Sequence, residues 1–352
     1  MNIGINARVF SLETPAGAAQ VGIQHTKNLI DRSDSCTLYG NEEGYRWFDN
    51  TPSYSDTLFP WNSQAFGVIW ERSVLPFLAA KDDLDILFCP NANAPPITWG
   101  DYKTVVLVHH VGSEHGHSSL QRFYRKATIP LGVQNADVVV TVSEFSKKRI
   151  VEKLPVKQDD VHVVYNGIDD LFFEKNAGKP IEVPDEYILF VGSADERKNL
   201  SRLIQAYNRL DTDCELVVVG PSDTAAFGNE KVDRDDIINL GYVSREELIY
   251  VYENATIFAY PSLYEGFGLP PLEAAARGTP VVTSNVTAIP EVMGEAAEFV
   301  DPYDIDSIKR GLEVVHDSNR LEELSQKGRD RSEQFTWDKA TNRLLGVFED
   351  LF

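Results

Sequence analysis

Short β-branched runs alternate with helical patterns along the whole 352-residue chain, and this alternation constrains the fold more than any other feature. In the first half the runs fall at 3–6, 86–89, 104–108, 138–142 and 161–164; in the second they fall at 187–191, 215–219, 257–259, 280–283 and 298–300. Several hold four or five apolar residues in succession, as strands covered on both faces do. Parallel strands need long crossovers, which the helical patterns supply. The expected class is therefore α/β, with two Rossmann-like domains whose parallel sheets face each other across a cleft. The turn Tyr165-Asn166-Gly167-Ile168-Asp169 and the polar Gly/Pro-bearing stretch 175–180 mark the join. We expect one domain over 1–168 and a second over 169–336. A helix over 337–352, announced by the cap Thr336 and the apolar stripe Leu344, Leu345, Val347, Phe348 and Leu351, is expected to pack back on the first.

Open sheets of this kind bind ligands at the carboxyl ends of their strands, so the loops after each run carry the functional reading. Charge narrows the ligand. A net charge of -21 repels polyanions and argues against a nucleic-acid binder. Cys36, Cys89 and Cys214 are widely spaced and odd in number, as buried free thiols of a reducing compartment are. The opening Met1-Asn2-Ile3-Gly4 enters a strand-like run without a basic leader, and no apolar stretch reaches the ~18 residues of a membrane span. A cytoplasmic location is expected.

The richest segment is Tyr260-Pro-Ser-Leu-Tyr-Glu265-Gly-Phe-Gly-Leu-Pro-Pro-Leu-Glu273, between a strand and a helical pattern that stops near Gly278. Gly266 and Gly268 let a ligand approach the backbone closely, and Pro270 and Pro271 suit a first helical turn. Two carboxylates eight positions apart can each accept hydrogen bonds from vicinal hydroxyls, although a lone Glu273 would also fit a purely electrostatic role on its helix. At the end of the run 187–191 stands Gly192-Ser-Ala-Asp-Glu-Arg197-Lys198-Asn199, two cations placed to meet an anion.

Glu265-x7-Glu273 in the setting EGFGLPPLEAAARGTPVV, together with LGYVSREEL, FAYPSLYEGFG and SNVTAIPEV, resembles glycosyltransferase family 4, retaining enzymes of two-Rossmann GT-B architecture. The resemblance spans nearly the whole chain and implies that the domain over 1–168 binds the acceptor and the domain over 169–336 binds the nucleotide sugar. It implies that Glu265 contacts the transferred sugar, Glu273 the ribose, and the backbone of Gly266, Phe267, Gly268 and Leu269 the sugar or phosphate. It further implies that Arg197 and Lys198 neutralise the leaving diphosphate without a metal ion, so that no cofactor is expected beyond the nucleotide-sugar co-substrate. His109, ending the run 104–108, matches a family histidine that touches the sugar, with His110 in place of the usual Asp. Gly17 matches the glycine of the family's first loop, which reaches the diphosphate. Asp211-Thr-Asp213 has the spacing of a metal-binding pair but precedes its strand, so it reads as a turn.

The implied reaction moves a hexose of the mannose, glucose or galactose class from a nucleotide diphosphate to a glycan or lipid-linked acceptor, in polysaccharide biosynthesis. A sugar-nucleotide epimerase of the same fold and a non-catalytic nucleotide-sugar-binding subunit are the alternatives. Donor base, sugar and linkage are not legible. Residues 118–158 hold Arg122, Arg125, Lys126, Lys147, Lys148, Arg149, Lys153 and Lys157 against Asp137, Glu144 and Glu152. This local excess suits either helix solvation or reversible contact with the inner face of an anionic membrane.

Overall fold

The structure is a computed structural model that describes residues 1–10, 17–33, 35–48, 54–56, 67, 69–109, 111, 129–193, 195–220 and 237–352. The chain divides into two compact units, Met1–Gly167 with Trp337–Phe352, and Ile168–Thr336.

The described strands of the amino-terminal unit are β1 (Asn2–Asn6), β2 (Ser35–Gly40), β3 (Tyr54–Asp56), β4 (Ile86–Cys89), β5 (Lys103–Val108), β6 (Val138–Thr141) and β7 (Val161–Val163). They form one parallel sheet in the order β3-β2-β1-β4-β5-β6-β7. The carboxyl-terminal unit holds β8 (Tyr187–Val191), β9 (Glu215–Val219), β10 (Ile237–Gly241), β11 (Ile257–Tyr260), β12 (Val281–Ser284) and β13 (Glu298–Val300). Their order is β10-β9-β8-β11-β12-β13, again all parallel. Each sheet thus starts at a central strand, grows to one side and reverses to the other. The reversal lies between β1 and β4 in the first and between β8 and β11 in the second, and loops diverging there leave a natural ligand crevice.

The α/β class and the paired parallel sheets agree with the sequence reading. Strands β4, β6, β11 and β12 are buried at every residue, which is why they read as unbroken apolar runs. The sequence reading missed β2, β3 and β10. Ser35-Cys-Thr-Leu-Tyr-Gly40 is buried from Cys36 onward yet carries no β-branched run, and Ile237-Ile-Asn-Leu-Gly241 is an edge strand with no fully buried residue.

The helices that position the site residues are α1 (Ala18–Arg32), α2 (Leu75–Lys81), α3 (Glu144–Lys153), α4 (Leu200–Tyr207), α5 (Arg245–Asn254), α6 (Leu269–Ala276) and α7 (Trp337–Glu349). Helix α7 returns to the amino-terminal unit and packs along α1. Its Trp337 ring lies edge-on to His25 at 5.1 Å, its Phe348 ring lies 5.7 Å from Phe88, and Arg32 pairs with Asp338. All three cysteines are free and buried. No helix among the described residues is long and apolar enough to cross a membrane. The basic stretch lies partly outside the described residues (118–128); on α3, Arg149 is paired with Glu152 at 2.9 Å while Lys148 and Lys153 are exposed.

Candidate active site

The loops leaving β8 and β11 meet at the reversal of the second sheet. After β8, Asp195 caps a single 3-10 turn, Glu196–Lys198, by accepting from the Arg197 amide at 2.9 Å. Asn199 then sits in the left-handed region (φ 64°), which asparagine tolerates better than most residues, and opens α4. Its buried carboxamide donates to the carbonyls of Pro261 and Pro302, each at 2.8 Å, so the basic turn is fastened to the loop after β11. The Leu263 amide completes the link by donating to the Arg197 carbonyl at 2.8 Å.

This fastening brings Arg197 and Lys198 onto Glu265. Lys198 Nζ lies 2.8 Å from Oε1, and Arg197 Nη1 lies 3.2 Å from Oε2 while also donating to the Tyr264 carbonyl at 2.9 Å. The Tyr260 and Ser262 hydroxyls donate to Oε1, both at 2.9 Å, and Lys198 donates to the Tyr260 hydroxyl. Glu265 is 8% exposed. Burial alone would push its carboxyl upward; Lys198 and Arg197 outweigh burial and hold it at about 2, so it is ionised at neutral pH. Burial and the neighbouring carboxylate push Tyr260 far above its usual range, so it stays a donor.

Atom by atom, the cluster is unfinished. Glu265 Oε1 accepts three bonds and Oε2 one, which leaves Oε2 room for another donor such as a sugar hydroxyl. Lys198 uses two of its three N–H groups, and Arg197 Nη2 engages no described protein atom. The cations are thus held rigidly by the carboxylate with donors to spare. Tyr260, Ser262 and Asn199 were not singled out from the sequence, although all three lie within the quoted motifs.

Glycine turn and second carboxylate follow in the same loop. Gly268 has φ 105°, a backbone conformation that favours glycine, and a Cβ there would push aside the Ile289 Cδ1 methyl at 2.4 Å. It is the cap of α6, whose first residues are Leu269, Pro270 and Pro271. Two prolines remove two of the orphan amides a helix start normally offers, so its backbone donors reduce to those around Gly268 and Leu269. The Phe267 side chain is buried against Phe335 at 5.7 Å, which confines any ligand contact by this residue to its backbone. Glu273, half-buried on α6, accepts from the Tyr252 hydroxyl at 3.3 Å, and burial pushes its carboxyl upward despite nearby Arg245. No described contact joins Glu273 to the Glu265 cluster. Asp211-Thr-Asp213 lies before β9, at the opposite end of the sheet from these loops, where the Asp211 carbonyl accepts from His316 at 3.0 Å. Among the described residues no three His, Cys, Asp or Glu are grouped to hold a metal ion.

In the amino-terminal unit, His109 follows β5, and its Nε2 donates to the Pro90 carbonyl at 3.1 Å. Its neighbour His110 lies outside the described residues. Gly17 caps α1 with φ 53°, and no atom of the described residues lies within 4 Å of its would-be Cβ. Sequence reasoning missed a buried carboxylate here. Glu71 sits in a π-helical turn, Trp70–Val74, and reaches the end of β1. Arg8 grips it with Nε 2.9 Å from Oε1 and Nη2 3.0 Å from Oε2, and the buried Asn6 donates to it at 3.2 Å. Nothing in the sequence of the segment 70–74 signals a site.

Comparison with known proteins bears on this geometry. Residues 16–170 match the family model described as Glycosyltransferase Family 4, and residues 172–331 match Glycosyl transferases group 1. The chain belongs to glycosyltransferase family 4. It is 31% identical over 243 residues to O-antigen chain mannosyltransferase B of Escherichia coli, covering 64% of this chain and 64% of that protein. It is 27% identical over 307 residues to the serotype-specific mannosyltransferase WbdA of Escherichia coli, covering 79% of this chain and 36% of that protein. The chain therefore spans less than two thirds of the length of these curated relatives. In three dimensions it resembles a glycosyltransferase from Rickettsia africae ESF-5, with a TM-score of 0.77, 16% identity, and 99% and 98% of the two chains covered. That likeness concerns the family fold. The Glu265 cluster and the Gly268 turn both lie within the stretch matched by the second family model.

Proposed function

We propose that this protein is a retaining hexosyltransferase that uses a nucleotide-diphosphate sugar, with mannose the first sugar to test. The observation that carries the reading is the Glu265 cluster, in which an ionised, buried carboxylate holds Lys198 and Arg197 with unused N–H groups at the sheet reversal. Such fixed donors stabilise charge developing on a leaving diphosphate without reorganising. Two curated relatives that share this chain's sequence are mannosyltransferases, one of them of the O-antigen chain, which supports a mannosyl donor and a glycan acceptor.

In this reading the diphosphate meets Arg197 Nη2 and Lys198 Nζ, Glu273 accepts from the ribose hydroxyls, and the free lone pair of Glu265 Oε2 accepts from a sugar hydroxyl. His109 and Gly17 keep the roles the resemblance implies, at the sugar and the diphosphate. The acceptor oxygen bonds to the anomeric carbon as that carbon's bond to the diphosphate oxygen breaks. The bonding pair leaves with the diphosphate, and the acceptor proton passes to the leaving phosphate oxygen. Attack on the face the diphosphate departs from retains configuration. No metal ion takes part, because the two cations do the neutralising. No observation favours an epimerase or a binding-only subunit.

The test is thermal unfolding with GDP, UDP and ADP and their sugars, followed by product analysis with the donor that binds. A ligand at 100 times its Kd adds about 2.7 kcal/mol of stability, a readily measured shift. Stabilisation by one nucleotide class and an α-linked product from an α-linked donor are expected. No shift with any nucleotide, or inverted product, overturns the proposal.

A further inference from the structure

Thr287 is the one β-branched residue with positive φ (64°) among the described residues; the other non-glycine cases are Asp83, Ala92, Asn176 and Asn199. A left-handed backbone crowds a side chain that branches at Cβ, so threonine is more strained there than asparagine or aspartate. The strained residue stands beside the Glu265 cluster. β12 ends at Ser284, whose hydroxyl donates to the Ser262 carbonyl at 2.5 Å. The chain then turns through Asn285, Val286 and Thr287 into a short helix, Ile289–Met293. Ala288 and Ile289 are fully buried, and Ile289 packs against the Gly268 turn, so the surroundings hold Thr287 in its conformation.

A threonine just ahead of a helix ordinarily caps it. Here the cap position belongs to Ala288, and no side chain caps the helix. The Thr287 hydroxyl instead donates its proton to the Val286 carbonyl at 2.6 Å and accepts from the Glu265 amide at 3.2 Å. With the proton committed to Val286, only lone pairs face Glu265, which fixes the polarity of that bond. The turn carrying the carboxylate is thereby held from two sides. Arg197 accepts from the Leu263 amide and donates to the Tyr264 carbonyl, while Thr287 takes the amide of Glu265 itself. Glycine would adopt this φ without strain; the hydroxyl is what glycine lacks.

We propose that Thr287 is a positioning residue for Glu265: its hydroxyl fixes the backbone of the carboxylate that meets the transferred sugar, and the strained turn is retained for that contact. The inference rests on the transferase reading above and adds a third loop to the site. The loops after β8 and β11 gather the charges; the loop after β12 sets where Glu265 leaves the backbone. Loss of the hydroxyl should slow transfer about tenfold. That is less than the ~10²-fold that a 1 Å misplacement can cost, because Lys198, Arg197, Tyr260 and Ser262 still hold the carboxylate.

The experiment is steady-state transfer kinetics and thermal unfolding of Thr287→Ser, Thr287→Val and Thr287→Gly, with Thr287→Gly repeated in the Glu265→Gln background. Thr287→Val keeps the branch and loses the hydroxyl, Thr287→Gly loses both, and Thr287→Ser loses only the branch. Activity should follow the hydroxyl, with kcat near wild type in Thr287→Ser and about tenfold lower in the other two, at a donor KM within about twofold. Stability should follow the backbone, with Thr287→Gly melting above Thr287→Val because it sheds the left-handed strain. In the Glu265→Gln background Thr287→Gly should lower kcat no further, since residues that act as one unit are not additive. Wild-type kcat in Thr287→Gly, a Thr287→Ser as slow as Thr287→Gly, or a further tenfold loss on top of Glu265→Gln overturns the proposal. So does activity that ranks with melting temperature, as a role in stability alone would give. If Thr287→Val fails to fold, Thr287→Ser against Thr287→Gly makes the same comparison. Absence of transfer by wild type with every nucleotide sugar sinks the transferase reading and this inference with it, whereas a contrary result in an active wild type removes Thr287 alone.

Discussion

Glu71 and Glu265 stand at corresponding points of two sheets that share one strand order, each beside the turn that follows the sheet's first strand. Both are buried, and both are gripped by cations from that turn, Arg8 in one domain and Arg197 with Lys198 in the other. Their pKa shifts differ in sign. Burial wins at Glu71, whose carboxyl is pushed up although Arg8 and Asn6 oppose it. At Glu265 two cations and the Ser262 hydroxyl overcome the same penalty and hold the carboxyl at about 2. At Glu71 one guanidinium in contact, Arg8, with Arg72 acting only through its charge, does not repay the desolvation of the carboxylate; at Glu265 two cations in contact, with hydroxyl donors, do. The second arrangement also leaves cation donors unused, which a site for a departing diphosphate needs and a purely structural pair does not.

The sharpest way to break this comparison is to remove the cation in contact with Glu71. Arg8→Ala should cost about 3 kcal/mol of stability at pH 7, read by denaturant unfolding, because it strands Glu71 in the interior. The loss should shrink on acidification as Glu71 takes up a proton; a loss that is constant with pH would show that Arg8 matters only for packing.

Next in size is the effect on chemistry. Lys198→Ala and Glu265→Ala should each lower turnover roughly 10²-fold in steady-state transfer assays, as loss of one preorganised polar contact does. Near-normal turnover in both would remove the catalytic half of the comparison.

The smallest effect concerns pH alone. A carboxyl lowered by folding stabilises above its unfolded pKa and ceases to do so as pH falls through about 2. One that folding raises does the opposite, and its contribution fades as pH rises through the folded value. On going from pH 7 toward pH 3, wild type should therefore lose ground to Glu265→Gln and gain ground on Glu71→Gln in urea titrations. Shifts of the same sign in both would contradict the opposite directions assigned to the two carboxyls.

Much of the fold was legible because buried parallel strands are apolar on both faces and need no partner to be recognised. Where a strand is an edge, as at 237–241, or buried without β-branched residues, as at 35–40, the signal fails. The candidate site divides similarly. Glu265, Gly268, Arg197 and Lys198 sit in dense motifs whose composition is odd for mere structure. Tyr260 and Ser262 are ordinary residues until the loop curls and aims their hydroxyls at Oε1. Glu71 is one glutamate on a helix, distinguished only by the 63 positions of chain between it and Arg8.

By itself the sequence determined the class of fold, the order of its elements and the loops that carry unusual residues, because periodicity and glycine or proline placement are local properties of the chain. Tertiary structure alone decided which charges are buried, how many cations face each carboxylate and which donors stay unused. Desolvation and Coulomb attraction depend on distances between segments far apart in sequence, and no local pattern encodes those distances.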